Sequence, residues 1–366
     1  MFIKSLKIKN FRCFGSLDIS FDGPATLIQG SNGAGKTSLL EALHYICYMR
    51  SFRTHTPRDL IAFGKDTFFV KVLFNAGDEN GEHTLEHELQ VGFSKGKKSV
   101  KLNKKALHSF KELIDHYRVL TVTEDDLEII KGGPDVRRAF LDNAIFLIDP
   151  SFIAVTKEFK KVLENRNVLL QSERVDQSSY LLWTEQLWQK SKDIQKKREK
   201  MTKDLAKRVN EILQKHFEGE KLQVELEYKP KNVDLKADYD SFLKAKITKI
   251  QRQEMRFGRS LFGAHLDDLI ITFCSKKSKF YASRGQQKLI VLLLKASQLS
   301  FLTQNRGLGA FLLDDFMTDF DHDRAQKLTN FLFSLQTQLI FTSPSRVGFF
   351  EDMLTRSGTR KILLTP

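Results

Sequence analysis

Eight consecutive residues, Gly30-Ser31-Asn32-Gly33-Ala34-Gly35-Lys36-Thr37, satisfy the pattern GxxxxGK[ST]. The glycines of this loop let backbone N–H groups turn inward and cradle phosphate oxygens. Lys36 has the reach for β- and γ-phosphates, and the Thr37 hydroxyl is a ligand for Mg²⁺. Ser38 follows in the first turn of a helix expected over 36–48. The apolar run Pro24–Gln29 reads as a strand entering the loop, so the context is strand–loop–helix. The helix then points its positive end at the bound phosphates.

Two further constellations lie far downstream. Ala310-Phe311-Leu312-Leu313-Asp314-Asp315 is an apolar strand ending in two carboxylates. In a strand of this Walker B type the first carboxylate, Asp314, holds Mg²⁺ through water. The second, Asp315, acts on the attacking water as base. Aspartate is a methylene shorter than the glutamate many such strands carry, which leads us to expect slow hydrolysis. Ser283-Arg284-Gly285-Gln286 precedes an apolar helix expected over 288–302 and resembles the ABC signature. A serine hydroxyl, exposed glycine N–H and a helix N-terminus make an anion site. The order glycine-rich loop, signature, carboxylate strand is the ABC order. A signature does not reach its own loop, so the expected active site forms between two chains. Ser283 follows Lys36 by roughly 250 residues. A transport ATPase needs a much shorter separation, and an SMC protein a far longer coiled coil.

The elements that must position these groups are legible from periodicity. Residues 2–21 read as two strands with a turn near Cys13–Gly15, and 67–105 as further strands with turns at Gly77–Gly81 and Gly92–Gly96. The stretch from Lys95 to Lys105 reads as a basic hairpin, for which a solvated surface is the plainer explanation. Asp149-Pro150 reads as a helix start, and Phe152, Val155, Phe159 and Val162 keep helical spacing. A second helix is expected from about Tyr180 to His216, roughly 50 Å long, antiparallel to the first across the polar segment 171–179. Strand 222–228 and an irregular stretch through Asp240 follow. No repeats or low-complexity tracts appear. The expected plan is α/β, a P-loop ABC-type ATPase core (1–148 and 258–366) with an inserted, mainly helical lobe (149–257).

Composition bounds the partners. The 366 residues carry 59 Lys+Arg against 45 Asp+Glu, a formal charge of +14 that suits a polyanion. The three cysteines form no CxxC pair, so neither a zinc site nor a disulfide framework is expected. The N-terminal segment alternates apolar and polar residues, reading as a strand and not as a signal peptide. No apolar run is long enough to cross a bilayer. We therefore expect a cytoplasmic protein with no membrane partner.

Several segments are similar to one family. Asn10-Phe11-Arg12-Cys13-Phe14 resembles the NFR opening of RecF and related SMC-like DNA-repair ATPases. Ser51-Phe52-Arg53-Thr54 with Asp59-Leu60-Ile61 resembles the RecF segment after the P-loop helix. Glu124–Asp142 resembles PEDLxLVxGxPxxRRxFLD, Gly263–Leu269 resembles GPHRDDL, and Ala282–Lys288 carries the SRGQQ signature. The resemblance runs in order through nearly the whole chain. It implies an ATPase lobe with a smaller helical lobe, a homodimer in ATP, and binding to duplex and gapped DNA. It also implies RecO and RecR as partners in recombinase loading. ATP contacts carried over are Asn32, Gly33, Gly35, Lys36, Thr37, Ser38, Asp314, Asp315, Ser283, Gly285 and Gln286. Arg12 is placed near the nucleotide base, 318–321 at a D-loop, and Thr342 or Ser343 at the switch that senses the γ-phosphate. Departures are Glu124 and Ala264 in place of prolines, and Leu266 in place of arginine, which removes a guanidinium from a phosphate-contact position. For His265 a bond to a core neighbour is expected before any ligand role. Two readings stand beside a DNA-repair ATPase: an ABC transport ATPase subunit, and a DNA-binding scaffold that binds ATP without hydrolysing it.

Overall fold

The computed structural model describes residues 2–77, 84–107, 117–232, 238–243, 247–306, 309–344, 354 and 358–364. The turn expected at Gly77–Gly81 falls largely outside them. The chain divides into two compact units: Met1–Asp126 with Leu299–Pro366, and Leu127–Gln298.

The first unit opens with β1 (Phe2–Phe11) and β2 (Phe14–Ser20), an antiparallel pair. β3 (Ala25–Gly30) is buried at every position and feeds α1 (Lys36–Tyr48). β4 (Thr67–Gly77), β5 (Thr84–Ser94), β6 (Lys97–Leu102) and β7 (Lys105–Ala106) complete an antiparallel sheet in the order β2-β1-β4-β5-β6-β7. Its alternation of buried and exposed positions marks one face on the core and one in water. The lysines of the expected basic hairpin, on β6, β7 and their turns, are exposed. β8 (Val119–Val122) ends this half of the unit.

The second unit holds α2 (Pro134–Ile148), with proline at its first helical position, then α3 (Phe152–Leu170) and α4 (Gln177–His216). α3 starts later than Asp149-Pro150 suggests. Asp149 is engaged elsewhere, accepting from Ser151 N at 3.1 Å and pairing with Lys197 at 2.7 Å. α4 starts earlier than expected, because Asp176 accepts from Ser179 N at 2.8 Å and caps it. It is 40 residues long, about 60 Å at the usual rise. β9 (Val224–Lys229), α5 (Thr248–Phe257), β10 (Asp268–Phe273) and β11 (Lys276–Lys277) follow, with the strands in one antiparallel sheet ordered β11-β10-β9. The stretch 149–257 lies inside this unit, which also takes in 127–148 and 258–298.

α6 (Arg284–Arg306) leads the chain back into the first unit. There β12 (Ala310–Leu313), α7 (His322–Ser334), β13 (Gln338–Ser343) and β14 (Arg360–Leu364) build an all-parallel sheet ordered β14-β3-β13-β12-β8. β8, β12, β3 and β13 are buried throughout, as strands covered on both faces must be. α1 is buried almost all round and touches strands of both sheets, so its helix lies between them. Among the described residues no helix is long and apolar enough to cross a membrane. Cys13 and Cys274 are exposed and Cys47 buried, all with free thiols.

Candidate functional site

β13 lies between β3 and β12, paired with both in parallel register. The carboxyl ends of the three strands therefore open side by side, the position where parallel sheets place ligands. β3 delivers the glycine-rich loop, β12 delivers Asp314 and Asp315, and β13 ends in Thr342 and Ser343.

In the loop, Gly33 and Gly35 have φ of 87° and 93°. At Gly35 an added Cβ would lie 2.5 Å from Phe14 Cζ and 2.7 Å from Cys13 Sγ. Only glycine combines that backbone with that crowding. Gly35 is the N-cap of α1 and no side chain caps the helix, so its first amides stay available to a ligand. Ser31, Asn32 and Gly33 are exposed, while Ala34, Lys36 and Ser38 are buried.

The Lys36 side chain is 5% exposed and curls back, its Nζ donating to Gly30 O at 3.1 Å and Ser31 O at 3.3 Å. The same ammonium lies 3.8 Å from Asp315 Oδ2. Thr37 Oγ1 donates to Asp314 Oδ2 at 2.7 Å. Thr342 Oγ1 lies 2.8 Å from Asp314 Oδ1 and accepts from Asp315 N at 2.8 Å. Burial pushes the Asp314 carboxyl above the usual range, opposed by its hydrogen bonds to Thr37 and Thr342. Asp315 holds φ of +45°, a conformation that costs a non-glycine residue and that clusters at functional sites. Of the two candidates for the switch, Thr342 bonds both carboxylate residues; Ser343 Oγ is bonded to Pro344 O at 3.2 Å.

Arg12 sits in the β1–β2 turn with φ of +53°. Its guanidinium forks onto Glu41 at 2.8 and 2.7 Å and reaches Asp59 O at 2.8 Å. Glu41 is fully buried on α1 and also receives the Ser51 hydroxyl, whose oxygen takes the amides of Arg53 and Thr54. The segments around Arg12, Ser51 and Asp59 thus form one knot. Glu41 was not singled out in the sequence; a glutamate amid the apolar face of α1 was the available signal.

In the second unit Ser283 and Gln286 face each other across the first turn of α6. Ser283 N donates to Gln286 Oε1 at 2.9 Å and Gln286 N donates to Ser283 Oγ at 3.3 Å. This reciprocal pair is a capping box, and it explains why α6 begins at Arg284 and not at Lys288. Ser283 and Arg284 are exposed and Gly285 half-buried. The backbone of 316–321, where a D-loop is expected, is a short 3₁₀ turn leading to Asp321, which caps α7; the Thr318 side chain lies outside the described residues.

The other distinctive segments of this unit hold one another. Arg137 forks onto Asp268 at 2.7 and 3.0 Å, and Arg198 onto Asp142 at 2.7 and 2.9 Å. Asp267 is buried and accepts from Gln195 Nε2 and Lys231 N, each at 2.9 Å, and from the Tyr228 hydroxyl. His265 bonds Ser260 O at 3.3 Å, and burial lowers its pKa to about 4.

The pattern of the AAA domain family matches residues 5–254. The DNA replication and repair protein RecF of Leptospira interrogans (serogroup Icterohaemorrhagiae, serovar copenhageni, strain Fiocruz L1-130) is 31% identical, over 100% of this chain and 97% of its own. That of Geotalea daltonii is 30% identical over 92% and 91%. Among solved structures, the recombination mediator protein RecF with ATP is 27% identical with a TM-score of 0.78, over 95% of this chain and 93% of that one. The Smc head domain of Pyrococcus furiosus, at 17% identity and a TM-score of 0.54 over 96% and 91%, shares the fold. The architecture is therefore an α/β core of the ABC ATPase type.

Proposed function

This chain belongs to the RecF family of DNA replication and repair proteins, and on that premise we propose that it is an ATPase that closes as an ATP-bridged homodimer on gapped DNA. The observation that carries the reading is the cluster at the three strand ends, with Thr37, Asp314 and Thr342 in hydrogen-bond contact and Lys36 poised beside Asp315. A transport subunit does not fit a full-length match to DNA replication and repair proteins.

In this reading the amides of 31–37 hold the β- and γ-phosphates of ATP. Lys36 exchanges two carbonyl partners for phosphate oxygens, an exchange of weak acceptors for charged ones. Thr37 and Asp314 are hard oxygen donors already side by side, a donor pair that fits Mg²⁺ completed by phosphates and water. Mg²⁺ there would neutralise charge developing on the phosphate oxygens. Asp315 orients the attacking water and takes its proton. Thr342, bonded to both carboxylate residues, couples that pair to β13. Ser283, Gly285 and Gln286 close on the γ-phosphate of the twin protomer; the Ser283 oxygen accepts from Gln286 N, leaving its proton to donate. Arg12 contributes through the knot with Glu41, which fixes the turn against Gly35. Within the ATPase core the helical stretch 149–257 is an inserted lobe. RecO and RecR are the expected partners, in the cytoplasm.

The test is sedimentation of the chain with gapped DNA, with and without ATP and Mg²⁺, over a salt series. Binding that grows with ATP and falls steeply with salt supports the proposal; binding indifferent to both refutes it.

A further inference from the structure

The peptide joining Ala282 to Ser283 is one rigid plane, and both of its polar ends are held by side chains. Its N–H, on Ser283, donates to Gln286 Oε1 at 2.9 Å. Its carbonyl, Ala282 O, accepts from Gln287 Nε2 at 2.8 Å. Two successive glutamines of α6 therefore grip a single peptide, the one from which the Ser283 side chain projects. On either side the backbone is also tied. Ala282 N donates to Ser278 O at 3.1 Å, and Gln287 N donates to Ser283 O at 2.8 Å, closing the first turn of α6.

The two glutamines are not equivalent. Gln286 is half-buried, and with its oxygen engaged by Ser283 N its side-chain N–H groups remain for a ligand. Gln287 is 7% exposed. Its Oε1 is buried and has no hydrogen-bond partner among the described residues. An unmet buried acceptor costs stability, and such a group in a folded protein calls for a reason. An apolar side chain at this position would pack without that cost. What glutamine adds is the other end of its carboxamide, the N–H that fixes the direction of the Ala282 carbonyl.

We propose that Gln287 is a positioning residue for the ATP-bridged site: by holding Ala282 O it sets the plane that aims Ser283 at the γ-phosphate of the twin protomer. It acts through Ser283 and touches no nucleotide. This rests on the Ser283 turn closing on the twin's ATP, the function proposed for the chain.

The experiment uses the full chain with Gln287→Met, which keeps an unbranched side chain of similar length and removes both amide atoms. One hydrogen bond is lost and one unmet acceptor is removed, so the thermal midpoint should barely move. Binding of a fluorescent ATP analogue by the monomer should be unchanged, since the glycine-rich loop is untouched. Dimer measured by sedimentation in ATP and Mg²⁺ should weaken on the order of tenfold for each signature turn, roughly a hundredfold for the two. The deficit should also belong to one side of the site. Mixed with Lys36→Ala, the Gln287→Met chain should gain dimer and ATP hydrolysis over either component; mixed with Ser283→Ala it should gain nothing. Damage to the fold at large would not sort in this way. If Gln287→Met does not fold, Gln287→Leu carries the same test, and a chain that tolerates neither makes Gln287 a residue of the fold alone and overturns the proposal. A Gln287→Met chain that dimerises like the parent while Ser283→Ala does not overturns it and leaves the ATP-bridged dimer standing. A Ser283→Ala chain that dimerises like the parent removes both.

Discussion

Arg166 offers the most demanding test of how the second unit is held together. Its side chain is 0% exposed and forks onto Glu254, also 0% exposed, at 3.0 and 2.7 Å. It also donates to Ser260 Oγ at 2.7 Å and Thr184 Oγ1 at 3.0 Å, with the rings of Tyr180 and Phe262 each 4.9 Å away. Arg166 lies on α3, and these partners come from α4, α5 and the segment after α5. Replacing Arg166 by methionine keeps much of the volume but strands a buried carboxylate that retains only Tyr180 OH at 2.8 Å and Leu261 N at 2.7 Å. Breaking one half of a buried pair costs about 3–5 kcal/mol. At a urea slope of about 2 kcal/mol per M the midpoint then falls by roughly 2 M. The chain's two tryptophans, Trp183 and Trp188, both lie on α4, so their fluorescence reports this unit. Adding Glu254→Gln to Arg166→Met removes the stranded charge and recovers a large part of the loss. A single variant as stable as the parent, or a double variant no better than the single, refutes the reasoning.

Gly35→Ala places a Cβ against Phe14 and Cys13 on a backbone with φ of +93°, so nucleotide affinity measured by fluorescent-analogue titration is expected to fall at least about tenfold. Asp314→Asn removes a carboxylate whose folded pKa burial has raised. Such a group costs the folded state stability as pH rises from its unfolded pKa through its folded one. The nucleotide-free variant should therefore lose that decline in a pH series of thermal melts and be the more stable form above the window, while Mg²⁺-dependent ATP binding is lost. Thr342→Val deletes the hydroxyl bonded to Asp314 Oδ1 and Asp315 N. Phosphate release should slow about tenfold or more with ATP binding nearly intact; an unchanged rate removes Thr342 from the switch role.

What could be read in the sequence was local. β3, the glycine loop and α1 are contiguous, and the pattern of apolar residues followed by Gly, Lys and Thr fixes all three together. β12 is legible for the same reason, because four buried apolar residues run straight into Asp314-Asp315. That these elements meet was legible only through the shared ATP and Mg²⁺ roles of their motifs; that β13 stands between the two strands and pairs with both was not. The buried ion pairs were also hidden. Glu254 is distant from Arg166 in the chain, yet Arg166 continues the 159–162 helical stripe, and a charge on an apolar stripe is a sign of a partner. Helix starts moved where a cap residue had a competing bond, as at Asp149. At Ser283 the serine and glutamine of the signature double as a capping box, so one short motif both starts α6 and carries the expected phosphate contact.

The central claim is that each ATP lies between the glycine loop of one protomer and the Ser283 turn of its twin. It is tested most directly by mixing two variants, Lys36→Ala and Ser283→Ala, and measuring dimer by sedimentation in ATP and Mg²⁺. Each variant alone should remain monomeric. The mixture should form a heterodimer, because it assembles one intact pair of loop and signature, and should regain part of the ATP hydrolysis. A Ser283→Ala chain that dimerises and hydrolyses ATP like the parent, or a mixture that gains nothing over its components, contradicts the account.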